Sequence, residues 1–401
     1  MNATSFEHHE EISDDLIHQR LAHFSTSRIR SAMGKITGFP LSDFKGHSNC
    51  EHCAKGGIQT HRSKKKGPSS VNRFTFFGEC IATDLAGPFP LSTPLAFTYA
   101  IVFYDRFSKY IAIYYLKNKD SAGAKAAMQQ FMLDHKSWLK EGRVHEWFTD
   151  NGTEFRSSDL DEFCAEFLIK RSYSVPYVHN TNPHAERAWG IVLRPVRILA
   201  TSINGGEKWW PFLMNQVRMI HNCLPTRGHD PPTAPIIIAA GTTTAPDLSM
   251  IRVMLCRCIA KVHMLPAHMI THKLTAKGME AMYLGYDEKR KGHFVYILEL
   301  NRITTVTNKE VVFLSTAQRS NACPLLSSGP LPHTRAACAP ILDMPTLICV
   351  HGGASNPKQV WADANHFITD ALDERRPPEK TFSRKTWRSR AEGGRGRKHR
   401  A

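Results

Sequence analysis

Three acidic residues have types and spacings that could support metal-dependent chemistry. Asp84 ends one apolar stretch, Asp150 ends another, and Glu186 stands near the start of a helical pattern. Thirty-five residues separate Asp150 from Glu186, enough chain for one helix, one strand and a turn back to the same sheet edge. Because Mg²⁺ prefers oxygen ligands, carboxylates that converge at one edge suit it. Two such ions about 3.5–4 Å apart can promote an in-line displacement.

Each of these carboxylates also has an ordinary structural explanation. Asp150 lies in Asp-Asn-Gly, a common turn sequence, and an Asp after a strand often only caps or turns the chain. Glu186 is a glutamate in the first turn of a helix, where the helix dipole favours negative charge. The order of two strand ends and one helix start, with this spacing, favours a shared site.

A second constellation combines imidazole and thiol groups near the N-terminus. Four residues lie between His18 and His23, two lie between Cys50 and Cys53, and 26 lie between the two pairs. Two nitrogens and two thiolates are typical of a closed, tetrahedral structural zinc site. The alternatives are chance, since the chain has 21 histidines, and a Cys-x-x-Cys made of packed thiols. Nearby histidines that could compete as ligands are His47, His52 and His61.

The elements that must position the carboxylates follow from the apolar periodicity. Three strands joined by turns are predicted first, followed by alternating helices and strands, which is typical of an α/β, RNase H-like mixed sheet with flanking helices. The predicted strands are 74–84, 97–104, 110–116, 144–149 and 169–175, and the predicted helices are 119–140, 157–168 and 183–203.

Composition divides the chain into five segments. A small helical zinc-binding module is expected before the core, and a small β-rich unit after a proline-rich boundary near 230. The predicted segments are the zinc module at 16–60, a basic linker at 61–73, the catalytic core at 74–230, the β-rich unit at 250–315 and a disordered basic tail at 316–401.

Charge favours a polyanionic partner. The chain has 52 Lys and Arg against 36 Asp and Glu, a formal net charge of +16. Lys64, Lys65 and Lys66 in the linker could neutralise DNA phosphates, although a solvated linker has the same pattern. The last 27 residues contain eleven Lys and Arg but only two Glu, which favours nucleic-acid contact or a nuclear-import signal.

Other classes of protein are disfavoured by the sequence. No apolar run reaches the roughly 18 residues of a membrane helix, and the first fifteen residues lack the features of a signal peptide. The ten cysteines are scattered, which is unlike a disulfide framework. We therefore expect a soluble intracellular protein with no membrane partner.

The run from 74 to 230 resembles the catalytic cores of Copia-type retrotransposon integrases, which are Pol polyprotein segments. The similarity lies in Asp84, in the Asp-Asn-Gly-Thr-Glu-Phe motif at Asp150 and in Asn-Pro-His-Ala-Glu-Arg at 182–187. The His-His-Cys-Cys pattern and the segment 281–314 also resemble regions flanking such cores, so the resemblance spans roughly 16–315. One departure is Pro183, which replaces the usual glycine, removes a backbone donor and puts activity in doubt more than fold.

The resemblance implies a function and a set of roles. Asp84, Asp150 and Glu186 would hold Mg²⁺ or Mn²⁺, Asn182 and Arg187 would contact DNA, and Zn²⁺ would fill the His-Cys site. The reaction would be attack by a 3′-hydroxyl on a target phosphodiester, with end processing and no covalent enzyme intermediate. DNA, both element ends and target, would be the partner of a homo-oligomer. We expect nuclear localisation, reached by way of a cytoplasmic virus-like particle.

Two other functions fit parts of the same sequence. A catalytically decayed or domesticated derivative would bind nucleic acid without cutting it, although all three carboxylates are present. An RNase H-like nuclease would only hydrolyse its substrate, but the zinc module and basic tail favour recombination. The sequence contains neither the Asp-Ser/Thr-Gly of an aspartic protease nor the Tyr-x-Asp-Asp of a reverse transcriptase.

Overall fold

A computed structural model of the chain describes residues 12–46, 50–57, 74–92, 95–174, 182–262 and 276–314. The basic linker, with Lys64, Lys65 and Lys66, and the C-terminal tail lie outside these residues. Within the described ranges, no helix combines the length and the apolar character that a bilayer crossing requires.

The strands of the described residues form two β-sheets, and the helices pack against them. The helices are α1 (Asp14–Arg20), α2 (Thr26–Arg30), α3 (Glu51–Gly56), α4 (Ser121–Asp134), α5 (Ser158–Glu166), α6 (Pro183–Ala200), α7 (Trp210–Cys223) and α8 (Pro235–Ala240). The strands are β1 (Ile81–Ala86), β2 (Tyr99–Asp105), β3 (Ile111–Leu116), β4 (Glu146–Thr149), β5 (Lys170–Tyr173), β6 (Arg257–Lys261), β7 (Gly278–Asp287), β8 (Gly292–Ile297), β9 (Arg302–Val306) and β10 (Val311–Phe313).

The first sheet is mixed, with strand order β3-β2-β1-β4-β5. The β3-β2-β1 half is antiparallel, whereas β4 and β5 run parallel to β1. This topology confirms the predicted RNase H-like class. Strand β1 is central, and its partner β4 leads directly to Asp150, so both strand-borne carboxylates lie in the middle of the sheet.

Strand β1 begins at Ile81, seven residues later than predicted. The apolar residues before it form turns instead, because Gly78 takes φ +82° and donates its N–H to Asp105 Oδ1 at 3.0 Å. A side chain at Gly78 would also collide with Leu139 Cδ2, 2.3 Å from the ideal Cβ position. The segment therefore packs as a turn, and Phe77 is buried.

Alternation along the strands gives the sheet two apolar faces. One face packs against α4 and α5, and the other packs against α6 and α7. Ile81, Ile101 and Phe103 belong to the first face, whereas Ala82 and Val102 belong to the second. Asp84 alternates in register with Ala82, so its side chain lies on the α6 face.

The second sheet is antiparallel, with order β10-β6-β7-β8-β9. It covers α7, all of whose fourteen residues are buried. Phe294 on β8 lies 6.1 Å from Phe212 between ring centroids, and Arg218 pairs with Glu288 at 2.6 Å. On its other side, α7 bonds to the edge strand β3, because Asn222 contacts both backbone polar groups of Ile111.

The N-terminal helices pack against the same core. Arg28 on α2 donates to the carbonyls of His221, Leu224 and Pro225 at the end of α7, at 3.1–3.4 Å. Burial lowers the pKa of this guanidinium to about 10. Since the last carbonyls of a helix have no intrahelical partner, Arg28 satisfies groups that would otherwise be buried unpaired.

Candidate metal centres

Asp84 lies within β1, partly exposed, and accepts a hydrogen bond from Leu85 N at 2.8 Å. Burial first, and then the charges of Asp150, Glu154 and Glu186, together raise the pKa of this carboxyl to about 6. Asp150 and Glu186 therefore lie within electrostatic range of Asp84. Such mutual repulsion disfavours ionisation unless a cation offsets it.

Asp150 follows the last residue of β4 and is held by the turn that it begins. Its Oδ1 accepts a hydrogen bond from Gly152 N at 3.0 Å. The next residue, Asn151, donates to Ser174 O at 2.7 Å and so ties the turn to the end of β5. Asp150 therefore forms the turn that is common for Asp-Asn-Gly. Because β4 pairs in parallel with β1, the same turn places Asp150 beside Asp84.

Glu186 occupies the first turn of α6, and Asn182 fixes where that helix begins. The Asn182 amide donates to Thr83 O on β1 at 3.0 Å, and its Oδ1 accepts from Ala185 N at 3.4 Å. One side chain therefore caps α6 and joins it to the residue before Asp84. Pro183 is compatible with this arrangement because the first helical N–H has no intrahelical partner.

The predicted DNA contacts of Asn182 and Arg187 differ in exposure. Asn182 is 5 % exposed and its amide is used within the protein, so its visible role is to position Glu186. Arg187 is exposed, and its charge acts on the pKa values of Tyr104 and His184. Contact of either residue with DNA remains a prediction.

A fourth carboxylate, Glu154, lies beside the Asp150 turn and is not among the residues predicted from the sequence. It lies in a 3₁₀ turn, Thr153–Phe155, is 5 % exposed and pairs with Lys119 Nζ at 3.2 Å. Glu154 belongs to the Asp-Asn-Gly-Thr-Glu-Phe motif, next to Phe155, which is buried. The motif was instead interpreted only through its first residue.

Among the described residues, the group whose ligand atoms lie close enough together to hold a metal is a His-Cys cluster, and the three predicted carboxylates do not form such a group. Carboxylates are nevertheless the hard ligands that magnesium and manganese take, and Asp84 and Asp150 lie on or directly after two neighbouring parallel strands. Burial is the main cause of the raised pKa of Asp84, and the neighbouring carboxylates add negative charge. A divalent cation would offset that charge.

His18, His23, Cys50 and Cys53 form a compact cluster, whose ligand atoms all lie within 4.8 Å of one another. His23 Nδ1 lies 3.1 Å from His18 Nε2 and 3.4 Å from Cys50 Sγ, and His18 Nε2 lies 3.2 Å from Cys53 Sγ. Tetrahedral zinc with bonds of 2.0–2.3 Å separates its ligands by about 3.3–3.8 Å. The cluster therefore fits Zn²⁺.

The chemistry of the cluster supports the same conclusion. Burial and the neighbouring Cys50 raise the pKa of the Cys53 thiol, so the thiolates that bind metal require a cation beside them. His52 is not in the cluster, and its Nδ1 lies 3.2 Å from Oγ1 of Thr201, the residue that follows α6. The other two competitors, His47 and His61, lie outside the described residues.

Comparison with known proteins identifies the core. Residues 78–179 match the integrase core domain family. These residues contain β1 to β5, Asp84, Asp150 and Glu154, whereas Glu186 follows the matched range.

The chain is similar to two plant Pol polyproteins. It is 24% identical over 315 residues to the retrovirus-related Pol polyprotein from transposon TNT 1-94 of Nicotiana tabacum. This match covers 78% of the chain and 22% of that polyprotein. It is 22% identical over 291 residues to the one from transposon RE1 of Arabidopsis thaliana, covering 71% and 18% respectively. The chain thus spans about a fifth of the length of these relatives.

Solved structures similar to the chain are retroviral integrase cores. The catalytic core of BIV integrase is 13% identical, with a TM-score of 0.31, and the match covers 41% of this chain and 95% of that one. The HTLV-2 integrase core with magnesium is 18% identical, with a TM-score of 0.31, covering 42% and 99%. From the family match and the plant relatives, the chain carries an integrase core domain and resembles the Copia-type retrotransposon integrases.

Proposed function

We propose that the protein is a metal-dependent DNA strand transferase that integrates retrotransposon DNA and processes its ends. The observation that carries this proposal is the Asn182 bond to Thr83, which sets Glu186 against the strand of Asp84. Asp150 reaches the same edge from β4. Three carboxylates from two strands and one helix, within electrostatic range, suit phosphoryl chemistry better than a structural role.

Asp84, Asp150 and Glu186 would hold Mg²⁺ or Mn²⁺. When bound, the cations would supply charge stabilisation at the attacking and leaving oxygens of the displacement. The chain's own residues fix the positions of the ligands: Leu85 N and Gly152 N each orient one carboxylate, and Asn182 orients the helix that bears the third. Such preorganisation lowers the entropy lost on reaching the reactive geometry.

The reaction is an exchange of phosphodiester bonds. The 3′-hydroxyl oxygen of an element end bonds to a target phosphorus, and the bond from that phosphorus to the 3′-oxygen of the target strand breaks. The attacking hydroxyl loses its proton, and the released 3′-oxygen gains one. End processing is the same displacement with water as the nucleophile.

DNA, as element ends and target, is the proposed partner. The net charge of +16 supports this proposal, and Lys64, Lys65, Lys66 and Arg187 would bind phosphates without reading sequence. A homo-oligomer would bring two element ends together. The basic C-terminal tail supports the proposal of nuclear localisation, by way of a cytoplasmic virus-like particle.

The test is strand transfer by purified protein on labelled element-end DNA with Mg²⁺ or Mn²⁺. Wild-type protein is compared with Asp150→Asn and with Asp159→Asn, an exposed aspartate on α5 that serves as the control. We expect joined products from the wild type and the control, and a loss of at least about 10³-fold in the Asp150 variant, if the lost ligand removes several kcal/mol of stabilisation.

The opposite result has a definite meaning. A wild-type protein that carries zinc and retains DNA, yet yields neither joining nor cleavage, would favour a decayed DNA-binding derivative. Cleavage without joining would favour a hydrolytic nuclease.

A further inference from the structure

Glu154 is a buried carboxylate with only half of its hydrogen-bonding capacity used. One oxygen, Oε1, pairs with Lys119 Nζ at 3.2 Å, and Oε2 has no hydrogen-bond partner among the described residues. The side chain is almost fully buried, whereas that of Lys119 is 48% exposed. A buried carboxylate oxygen without a donor is costly, so a surface ion pair is an incomplete explanation for this residue.

The unpartnered carboxylate lies against the backbone that presents Asp150. A Cβ built on Gly152 would stand 2.7 Å from both oxygens of Glu154. The N–H of the same Gly152 donates to Asp150 Oδ1 at 3.0 Å. One glycine therefore separates the two carboxylates, and any larger residue there would displace Glu154.

The shared contact with Gly152 therefore places Glu154 beside Asp150, the predicted ligand that the same glycine orients. In contrast, the paired Glu146 on β4 lies at the opposite end of that strand, 3.5 Å from Lys170.

We propose that Glu154 is a fourth carboxylate of the metal site, a positioning residue whose free oxygen accepts hydrogen bonds from the water shell of a divalent cation. This inference rests on the proposed function. Mg²⁺ and Mn²⁺ keep several waters in protein sites, and each water is a donor. Carboxylates that orient such shells commonly affect metal affinity.

Lys119 has a defined role in the same arrangement. Its ammonium pairs with the carboxylate that would also face the cation, so Lys119 competes with the metal for the negative charge of Glu154. The alternative is a purely structural ion pair that fastens the start of α4 to the 3₁₀ turn. The two roles predict different changes in metal affinity. If Lys119 competes with the metal, substituting Lys119 should raise the affinity and substituting Glu154 should lower it. If the ion pair is only structural, both substitutions should lower it.

The experiment measures Mn²⁺ affinity of the full-length, zinc-loaded protein from the EPR signal of free Mn²⁺. The variants are Glu154→Gln and Lys119→Met, with Glu146→Gln and Lys170→Met as the matched pair on the same sheet. We expect Glu154→Gln to weaken binding by about tenfold. Lys119→Met should tighten it by about threefold, the scale of a half-exposed ion pair. The control pair should leave the affinity unchanged.

Several outcomes would overturn the inference. An unchanged Mn²⁺ affinity in Glu154→Gln would overturn it. A loss of affinity in Lys119→Met would also overturn it, since a purely structural ion pair is broken equally by removing either partner. Should Glu154→Gln unfold, the exposed Lys119 variant still decides by its sign. Wild-type binding that Asp150→Asn does not reduce would overturn the proposed function itself, whereas binding sensitive to Asp150 but not to Glu154 would overturn only the role of Glu154.

Discussion

The two ends of α6 lie beside the two candidate metal centres. At its N-terminal end, Glu186 is exposed and joins carboxylates that repel one another. Its C-terminal half packs against α3, which carries Cys53 of the His-Cys cluster, and a Cβ on Gly56 would stand 2.7 Å from Ile198 Cα. The helix is roughly 27 Å long, so one rigid element connects both centres.

The difference between these ends shows how each centre is held. The ligand atoms of the His-Cys cluster already lie at separations typical of zinc, and both histidines are buried. Four protein ligands would leave no open coordination position on a bound metal. In the carboxylate set, Asp84 and Asp150 are instead oriented by backbone hydrogen bonds from Leu85 and Gly152, and Glu186 is exposed. Zinc should therefore stabilise the fold, whereas magnesium should serve a reaction at some cost in stability.

The largest expected effect is loss of zinc through Cys53→Ser. Structural zinc contributes on the order of 10 kcal/mol to small zinc folds, so we expect the free energy of unfolding to fall by several kcal/mol. Zinc content and urea unfolding, with and without a chelator, measure this effect. A variant as stable as wild type, with chelator-insensitive unfolding, would contradict a structural zinc site.

The contact between α3 and α6 is tested by Gly56→Ala. The new methyl would meet Ile198 Cα and N at 2.7 and 2.8 Å, so the helices must separate, at a cost of about 3 kcal/mol. Gly190→Ala is the control, because it lies on α6 with open space around it and should stabilise by up to about 1 kcal/mol. Equal effects of the two substitutions on urea unfolding would show that α3 is not tightly seated.

Asp84→Asn should change stability in the opposite direction. Since the folded pKa of about 6 exceeds the ordinary 3.8, the protonated form is favoured on folding, and stability is lost as pH rises through 6. Removing the charge should raise the free energy of unfolding at pH 7, without divalent metal, by about 2 kcal/mol. A destabilised variant would indicate that Asp84 has a structural role instead.

The smallest expected effect concerns His184 at the start of α6. Burial and the charges of Arg106, Lys109 and Arg187 lower its pKa from 6.5 to about 4. The unfolded chain therefore takes up the proton first, and stability is lost as pH falls from 6.5 towards 4. His184→Phe should reduce this loss, measured by urea unfolding at pH 7 and pH 5. An unaltered pH dependence would contradict the assignment.

Local patterns in the sequence were sufficient for much of the core. Strands β2 and β3 are predicted closely, because their apolar runs are bounded by turn residues. The His-Cys cluster is predicted for the same reason, since its ligands stand in short motifs at fixed spacing. The roles of Asp84, Asp150 and Glu186 as metal ligands stay predictions.

Long-range packing explains what the sequence could not provide. Strand β6 is not among the strands that the periodicity predicts, because its pairing with β7 and β10 depends on residues distant in the sequence. Helix α8 is short and lies in the predicted proline-rich boundary. The packing of α3 on α6 depends on the close contact between Gly56 and Ile198, which the apolar periodicity of the sequence does not indicate.

The complete burial of α7 has an evolutionary consequence. Its outer side meets the second sheet, where Trp209 lies 4.9 Å from Tyr296 and Phe212 lies 6.1 Å from Phe294, as ring centroids. Cores of this density accommodate little change in volume on one side alone. Substitutions on α7 and on β8 should therefore covary among relatives, and an exchange of the C-terminal sheet between two such proteins should succeed only when α7 is exchanged with it.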